Sequence, residues 1–266
     1  MMSFFNSASS AFVSEMELTL TANNPISAVC LDDEILGRKK LQRSDCLHCS
    51  IRPKMLFASL DIEKMSSWFW PINHMVCEAR TRLYHQGQPP QSIFSIRRGF
   101  IKLTQLNVDG EEKIVRLLGP GACLGLEALT QQGYHQTAEA LTEIDYCTIP
   151  IKIVFELEKK QPVIYGALIE QWQQQLSDAD QWLSQFFSGT IKQRLCRFLL
   201  MQHQLQQMPN EQLLLISNQD IASVLATSDE TISRCLSGLR SSGVLKKVEK
   251  RIYTLDLAAA KTLAGS

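Results

Sequence analysis

Apolar and polar positions follow two different periods along this chain. Between Arg80 and Pro150 short apolar and β-branched runs, SIFSI, FIKLTQL and KIVRLL among them, are separated by turn signals at Gly87-Gln88-Pro89-Pro90, Arg98-Gly99, Asp109-Gly110, Gly119-Pro120-Gly121 and Gln132-Gly133. Short strands at such regular spacing predict a β-sandwich or barrel. Asp109-Gly110 is the clearest hairpin turn among them.

After Pro162, which suits the first turn of a helix, the period lengthens. Tyr165, Ile169, Trp172, Leu176, Ala179, Leu183 and Phe186 follow one another at alternating steps of four and three. That spacing predicts a coiled-coil seam about three heptads long. Leu168, Trp182 and Phe187 add apolar surface beside it, so the helix is expected to touch both a partner helix and its own β-domain. A single long core helix of a monomer is the competing reading. A parallel homodimer is favoured because Trp172 and Phe186 need more cover than one small β-domain gives.

The last quarter, LLLISNQDIASVLATSDETISRCLSGLRSSGVLKKVEKRIYTL, carries the sharpest pattern. Ser217 is placed to cap a helix from Asn218, with Asp220 completing a capping box and Ile221, Val224 and Leu225 on the buried face. Ser228 caps a second helix reaching about Arg240, with Ile232, Leu236 and Leu239 as its apolar stripe. Two short helices joined by a tight turn make a helix-turn-helix, whose second helix enters the DNA major groove N-terminal end first. Glu230, Ser233 and Arg234 share one face of that end, with Ser228 and Thr231 beside them. Arg can present two donors to guanine and Glu can accept from the cytosine amino group. After Gly243 the segment VLKKVEKRIYTL reads as a two-stranded wing, with Lys246, Lys247, Lys250 and Arg251 placed to meet phosphates. An ordinary solvated Arg-Glu face is the bland alternative.

Charge favours the DNA reading locally rather than globally. The 266 residues carry 27 Lys plus Arg and 27 Asp plus Glu, but residues 189 to 253 hold nine basic against five acidic residues. At 45% hydrophobic the chain can bury a large core, and its length suggests two domains. The N-terminus has no basic residue before Arg38 and no apolar run is long enough to span a bilayer, so a cytoplasmic protein without a membrane partner is expected. Eight cysteines in a reducing compartment are thiols or metal ligands before they are disulfides.

The order β-domain, long helix, winged helix-turn-helix resembles the bacterial transcription regulators related to the cyclic-AMP receptor protein and the fumarate and nitrate reduction regulator, the CRP/FNR family. The resemblance spans about residues 46 to 266, and its most specific piece is ETISR, Glu230 to Arg234, which matches the family's E-x-x-S-R recognition helix. Ala226 stands in the turn where the family often has Gly. The resemblance implies an α+β protein. A flexible extension (1–45) precedes a cupin-like, cyclic-nucleotide-binding-type double-stranded β-roll (46–161). A dimerisation helix (162–188) and a winged helix-turn-helix (189–266) follow. It further implies a homodimer on double-stranded DNA with a TTGAT-like palindrome, and RNA polymerase as a partner.

The signal is harder to read. In the family's cyclic-nucleotide branch an Arg of the β-roll holds the cyclic phosphate, yet Gly121 to Ile151 contains no Lys or Arg, so a cyclic nucleotide is not expected. In the FNR branch a 4Fe-4S cluster is held by three N-terminal Cys and a fourth before Ile-Pro. Cys46 and Cys49 of SDCLHCSIRPKM match the first two and Cys147 of YCTIP the fourth. The third falls on Met55, whose neutral thioether is a poor substitute for a thiolate. Cys30 is the preferred replacement, ahead of Cys77 and Cys123. Two alternatives stay open. One is a relict site or a redox-sensing pair, Cys46 and Cys49. The other is a different ligand such as haem, NO or a small metabolite, with His48, His74, His85 and His135 as unspecific donors. A cupin-like metal or metabolite enzyme is the rival from another class. The His residues are scattered and no nucleophile-base set stands out, so no enzyme is expected.

Overall fold

The computed structural model describes residues 38–43, 46, 48–49, 51–54, 58, 72–130, 132–160, 163–206 and 208–265, all within one compact unit, Leu36–Ser266. Two sheets form the first half. The five-stranded sheet runs β1 (Arg38–Arg43), β2 (Asn73–Cys77), β9 (Ile144–Pro150), β4 (Ser92–Arg98), β7 (Cys123–Leu124). The four-stranded sheet runs β3 (Arg82–Tyr84), β8 (Thr137–Ala140), β5 (Ile101–Leu106), β6 (Glu112–Leu118). Every pairing is antiparallel, and the inward residues of both sheets form one core around Met75, Tyr84, Phe94, Ile101, Tyr134 and Tyr146. Tyr84 and Tyr134 stack at 3.9 Å between ring centroids.

The turns that punctuate the sequence lie where the strands reverse. Asn107–Glu111 joins β5 to β6, with the Asn107 Oδ1 accepting from the Asp109 and Glu111 amides and Gly110 at φ +78°. Gly99, at φ +86°, joins β4 to β5. A Cβ there would lie 2.3 Å from the Glu143 carbonyl oxygen, so only glycine fits.

One element differs from expectation, and a second fills a span to which the sequence assigned no element. The expected extension 1–45 contains β1, whose partner is β2. RKKLQR has no apolar alternation because it is an edge strand, where charge is an asset rather than a fault. The rest of that extension, with Cys30, and Met55 lie outside the described residues. Within the expected β-roll span, α1 (Ile151–Lys160) is a helix burying Ile153, Val154 and Leu157. An apolar run that short does not distinguish helix from strand.

α2 (Val163–Phe186) is the long helix the heptad spacing predicts. Its start, Ile164 and Leu168, packs with α1 on the outer face of the five-stranded sheet. Tyr165, Ile169, Trp172, Leu176 and Leu183 stay between 43% and 64% exposed, while Ala179 is half-buried. Phe186 corrects the predicted seam, because it is 1% exposed within the chain. It meets Trp182 edge-on at 4.9 Å and Phe198 at 6.2 Å, and the neighbouring Phe187, 59% exposed, faces solvent instead.

The C-terminal part comprises α3 (Ile191–Gln206), β10 (Gln212–Leu214), α4 (Asn218–Val224), α5 (Asp229–Ser241), β11 (Leu245–Glu249), β12 (Ile252–Leu255) and α6 (Leu257–Ala264), with its sheet ordered β10-β12-β11. Its core runs on through Trp182 and Phe186 into Phe100, Ile114, Leu117 and Leu141 of the β-sheets.

The two faces of α2 give opposite outcomes on truncation. Phe186→Ala should lower the chain's unfolding free energy by about 3–5 kcal/mol. Leu183→Ala should change it by less than about 0.5 kcal/mol at protein concentrations low enough for the chain to be monomeric. Urea unfolding monitored by circular dichroism at fixed protein concentration measures both.

Candidate nucleic-acid interface

The helix-turn-helix is built by its caps. Ser217 Oγ accepts the Asp220 amide at 3.1 Å, the N-cap bond that starts α4, and donates its own proton to the Asp220 carboxylate. Ser228 Oγ accepts the Thr231 amide at 3.3 Å and starts α5. Between the helices Ala226 is at φ +46°, so this chain holds an alanine where the left-handed region favours glycine.

α5 buries Ile232, Leu236 and Leu239 and turns Glu230, Ser233 and Arg234 to solvent. Those three side chains stand together at the N-terminal end of the helix. Glu230 is held below the usual carboxylate range, first by its own backbone amide and then by the Ser228 hydroxyl; desolvation opposes them, and the nearby Arg234 adds the least. It is therefore a firm anion at neutral pH. Ser228 and Thr231 lie 3.0 Å apart, hydroxyl to hydroxyl, so both are engaged in the cap.

The wing follows on β11 and β12, where Lys246, Lys247 and Lys250 are exposed. Arg251, expected on phosphate, is partly engaged elsewhere: its Nε donates to the Leu215 carbonyl at 3.0 Å and ties the wing turn to the segment before α4. The basic surplus of this region also includes two structural arginines that nothing local in the sequence marks. Arg194 donates to Phe186 O at 3.2 Å, and Arg197 donates to Gln185 O, Ser188 O and Ala264 O at 3.0, 2.8 and 3.0 Å. They hold carbonyls at and just beyond the C-terminal end of α2, and Arg197 ties these to the last carbonyl of α6.

The thiols gather on the outer face of the five-stranded sheet. Strand register sets His74, Cys147, Ser95 and Cys123 in one transverse row across β2, β9, β4 and β7. Cys123 and Cys147 are buried in one apolar cluster, and half-buried Cys46 packs against it. Burial acts to lower the Arg97 guanidinium's pKa and is outweighed by Asp145, Cys147 and Cys49, and Arg97 also hydrogen-bonds Cys147. Burial, chiefly, pushes the Cys123 thiol up to about 12. Cys77, pushed by burial to about 11, lies in the inner core, on the opposite side of the sheet. Ser95 is fully buried and its Oγ has no hydrogen-bond partner among the described residues. His74, a candidate donor for another ligand, is paired with Asp145 at 2.5 Å, while His85 and His135 are exposed and distant in the strand order. Among the described residues no three His, Cys, Asp or Glu side chains lie close enough together to hold a single metal ion.

A β-roll joined through a long helix to a winged helix-turn-helix defines a DNA-binding regulator rather than an enzyme. Residues 75–161 match the family model of the cyclic nucleotide-binding domain and residues 193–261 that of the Crp-like helix-turn-helix domain. The chain is 26% identical over 241 residues to the transcriptional activator protein anr of Pseudomonas aeruginosa, covering 87% of this chain and 97% of the relative. It is 27% identical over 187 residues to the fumarate and nitrate reduction regulatory protein of Vibrio cholerae, covering 69% and 75%. Among solved structures, FixK2 from Bradyrhizobium japonicum superimposes with a TM-score of 0.66 at 20% identity, over 73% of this chain and 98% of that one. A CRP-family regulator from Thermus thermophilus does so with a TM-score of 0.63 at 23% identity, over 72% and 96%. This chain belongs to the CRP/FNR family of transcription regulators. No helix among the described residues is long and apolar enough to cross a membrane.

The caps and the turn lend themselves to opposite changes. Ser228→Ala should cost about 1 kcal/mol of stability through loss of the α5 cap. Ala226→Gly should gain about 0.5 kcal/mol by relieving the left-handed alanine. Thermal unfolding of the two variants beside the parent chain would show one midpoint falling and the other rising.

Proposed function

We propose that the chain acts as a homodimer that reads a TTGAT-like palindrome with Glu230, Ser233 and Arg234, and that an oxygen- or redox-responsive thiol corner in its β-roll controls the reading. The observation that carries the DNA part is the exposed triplet at the start of α5, flanked by the wing lysines. The apolar seam Tyr165, Ile169, Trp172, Leu176 and Leu183 supports the dimer, since exposed apolar stripes of this kind mark partner helices. Two recognition helices then fall in successive major grooves. RNA polymerase is the expected partner at promoters, and the cytoplasm the expected compartment.

For the signal, the donor chemistry at the corner fits an iron-sulfur group in kind. Thiols are its ligands, and the orphaned Ser95 Oγ between Cys147 and Cys123 is a buried polar group for which a bound group offers a partner. Cys46, Cys49 and Cys147 would hold it, with Cys123 as fourth, because Cys123 shares the apolar cluster of Cys147 and Cys46 whereas Cys77 faces the inner core. Cys30, the replacement preferred from sequence, and Met55 lie outside the described residues. When bound, a 4Fe-4S cluster would supply oxygen lability. Arg97 would hold the Cys147 thiolate by charge and hydrogen bond. A cyclic nucleotide is disfavoured at this β-roll. The short 3-10 helix Leu126–Thr130 presents Glu127, whose carboxylate accepts the His135 amide, and no cation stands beside it in Gly121–Ile151.

A second reading, control by a different small ligand, is favoured by one feature. A cleft of about 900 Å³ opens between β6, α2 and α3, lined by Arg116, Gln175, Asp178, Trp182, Arg197 and Lys261 among others.

Two measurements test the proposal. Arg234→Ala should lose about 1–3 kcal/mol of discrimination at one base pair of the palindrome. Lys247→Ala should weaken binding to all sequences alike and reduce the salt slope by about 0.9. Discrimination between the palindrome and a random duplex that is unchanged in Arg234→Ala relative to the parent chain would remove the readout assignment. For the sensor, protein purified without oxygen should contain iron and sulfide, lose both in Cys147→Ser and Cys123→Ser, and keep both in Cys77→Ser. Protein with neither iron nor sulfide leaves the cleft reading standing.

A further inference from the structure

Where the helix-turn-helix meets the β-sheets, a buried ion cluster joins residues 118 positions apart in the chain. Lys102 on β5 has a side chain only 10% exposed. Its Nζ donates to Asp220 Oδ1 at 3.0 Å and lies 3.3 Å from Glu139 Oε1. Glu139 stands directly across the ladder from Lys102, and Arg82 directly across from Glu139, 3.2 Å from its carboxylate. Arg80 bridges both acids from the solvent side, at 3.7 Å from Glu139 and 3.8 Å from Asp220. Asp220 comes from the first turn of α4, the helix that sets the pose of α5. One turn later the Ser223 hydroxyl accepts the Ile114 amide of β6 at 3.3 Å, at the outer edge of the four-stranded sheet.

These contacts differ in weight. Arg80 and Arg82 are 62% and 46% exposed, so their ion pairs are weak and screened. Lys102, Glu139 and Asp220 are each at most 10% exposed. An intact buried pair adds little net stability, but separating it leaves a charge in the interior and is strongly unfavourable. The joint therefore penalises intermediate positions of α4, which makes it a two-position element rather than a soft one.

We propose that Lys102, clamped between Glu139 of the sensory sheet and Asp220 of the helix-turn-helix, is a latch that fixes the DNA-reading module against the β-roll, and that the latch must be held or released as a unit when the regulator changes state. The latch is independent of the thiol corner and of the identity of the signal. It supplies the bistable element on which any signal in the β-roll can act.

The test uses the full chain. Lys102→Met removes the charge and keeps most of the side-chain volume, whereas Asp220→Asn keeps an oxygen acceptor for the Ser217 cap. By amide hydrogen exchange, Lys102→Met should speed exchange in α4 and at the β6 edge by at least about a hundredfold, with β4 and β9 as protected as in the parent. Asp220→Asn should have much less effect in the Lys102→Met background than alone, because the partner it frees is gone. Affinity for a palindromic duplex should shift by at least about fivefold in Lys102→Met, the lower end of ordinary coupling between sites. Unchanged exchange in α4, loss of protection spread equally into β4 and β9, additive effects of the two substitutions, or unchanged DNA affinity would each overturn the latch. If Lys102→Met does not fold, Asp220→Asn alone gives the same exchange and affinity readouts.

Discussion

Burial of Trp182 and Phe186 at the end of α2 is the constraint from which the rest of the architecture follows. Both aromatics enter a core shared by the β-sheets and the DNA-binding part, so the two halves have a common interior rather than a mere linker. Trp182 lies off the stripe that carries Tyr165, Ile169, Trp172, Leu176 and Leu183, so its burial leaves that stripe outward up to Phe186, where the stripe itself turns into the core. An exposed apolar seam on one side and a shared core on the other make α2 the natural lever between the β-sheets and the DNA-binding part.

Much of this was legible from residue order because it is local. Strand period, turn glycines and helix caps act within a few residues, and Ser217, Asp220, Ser228 and Gly110 sit in the structure as their patterns require. The misses share another cause, which is that their meaning depends on distant partners. Phe186 obeys the heptad spacing as well as Leu183 does, and only Phe198, in another helix, decides that it turns inward. Asp220 reads as a cap residue, yet its other partner is Lys102 on a β-strand, and no local pattern announces that pair. β1 was missed for the complementary reason: an edge strand is stabilised by its neighbour β2, so its own sequence can be polar throughout.

The candidate interface shows the same division. Glu230, Ser233 and Arg234 could be placed from spacing alone, since one helical turn settles which face they share. The surrounding charge could not be assigned by counting. Arg194 and Arg197 close the end of α2, Arg251 braces the wing turn, and Asp220 is neutralised inside the protein. Net charge describes the field at a distance, whereas the groups free to meet phosphate are those the fold has not already engaged.

The transverse row His74, Cys147, Ser95 and Cys123 has a consequence for how such a corner can evolve. Its members come from strands far apart in sequence and are aligned solely by the hydrogen-bond ladders of β2, β9, β4 and β7. A slip of one residue in any of these pairings would send that strand's member of the row to the opposite face of the sheet. A residue substituted at any of these positions therefore keeps its place on the outer face, because the ladder already measures the spacing. The sheet behaves as a ruler, and the chemistry of a position is freer to drift than its address.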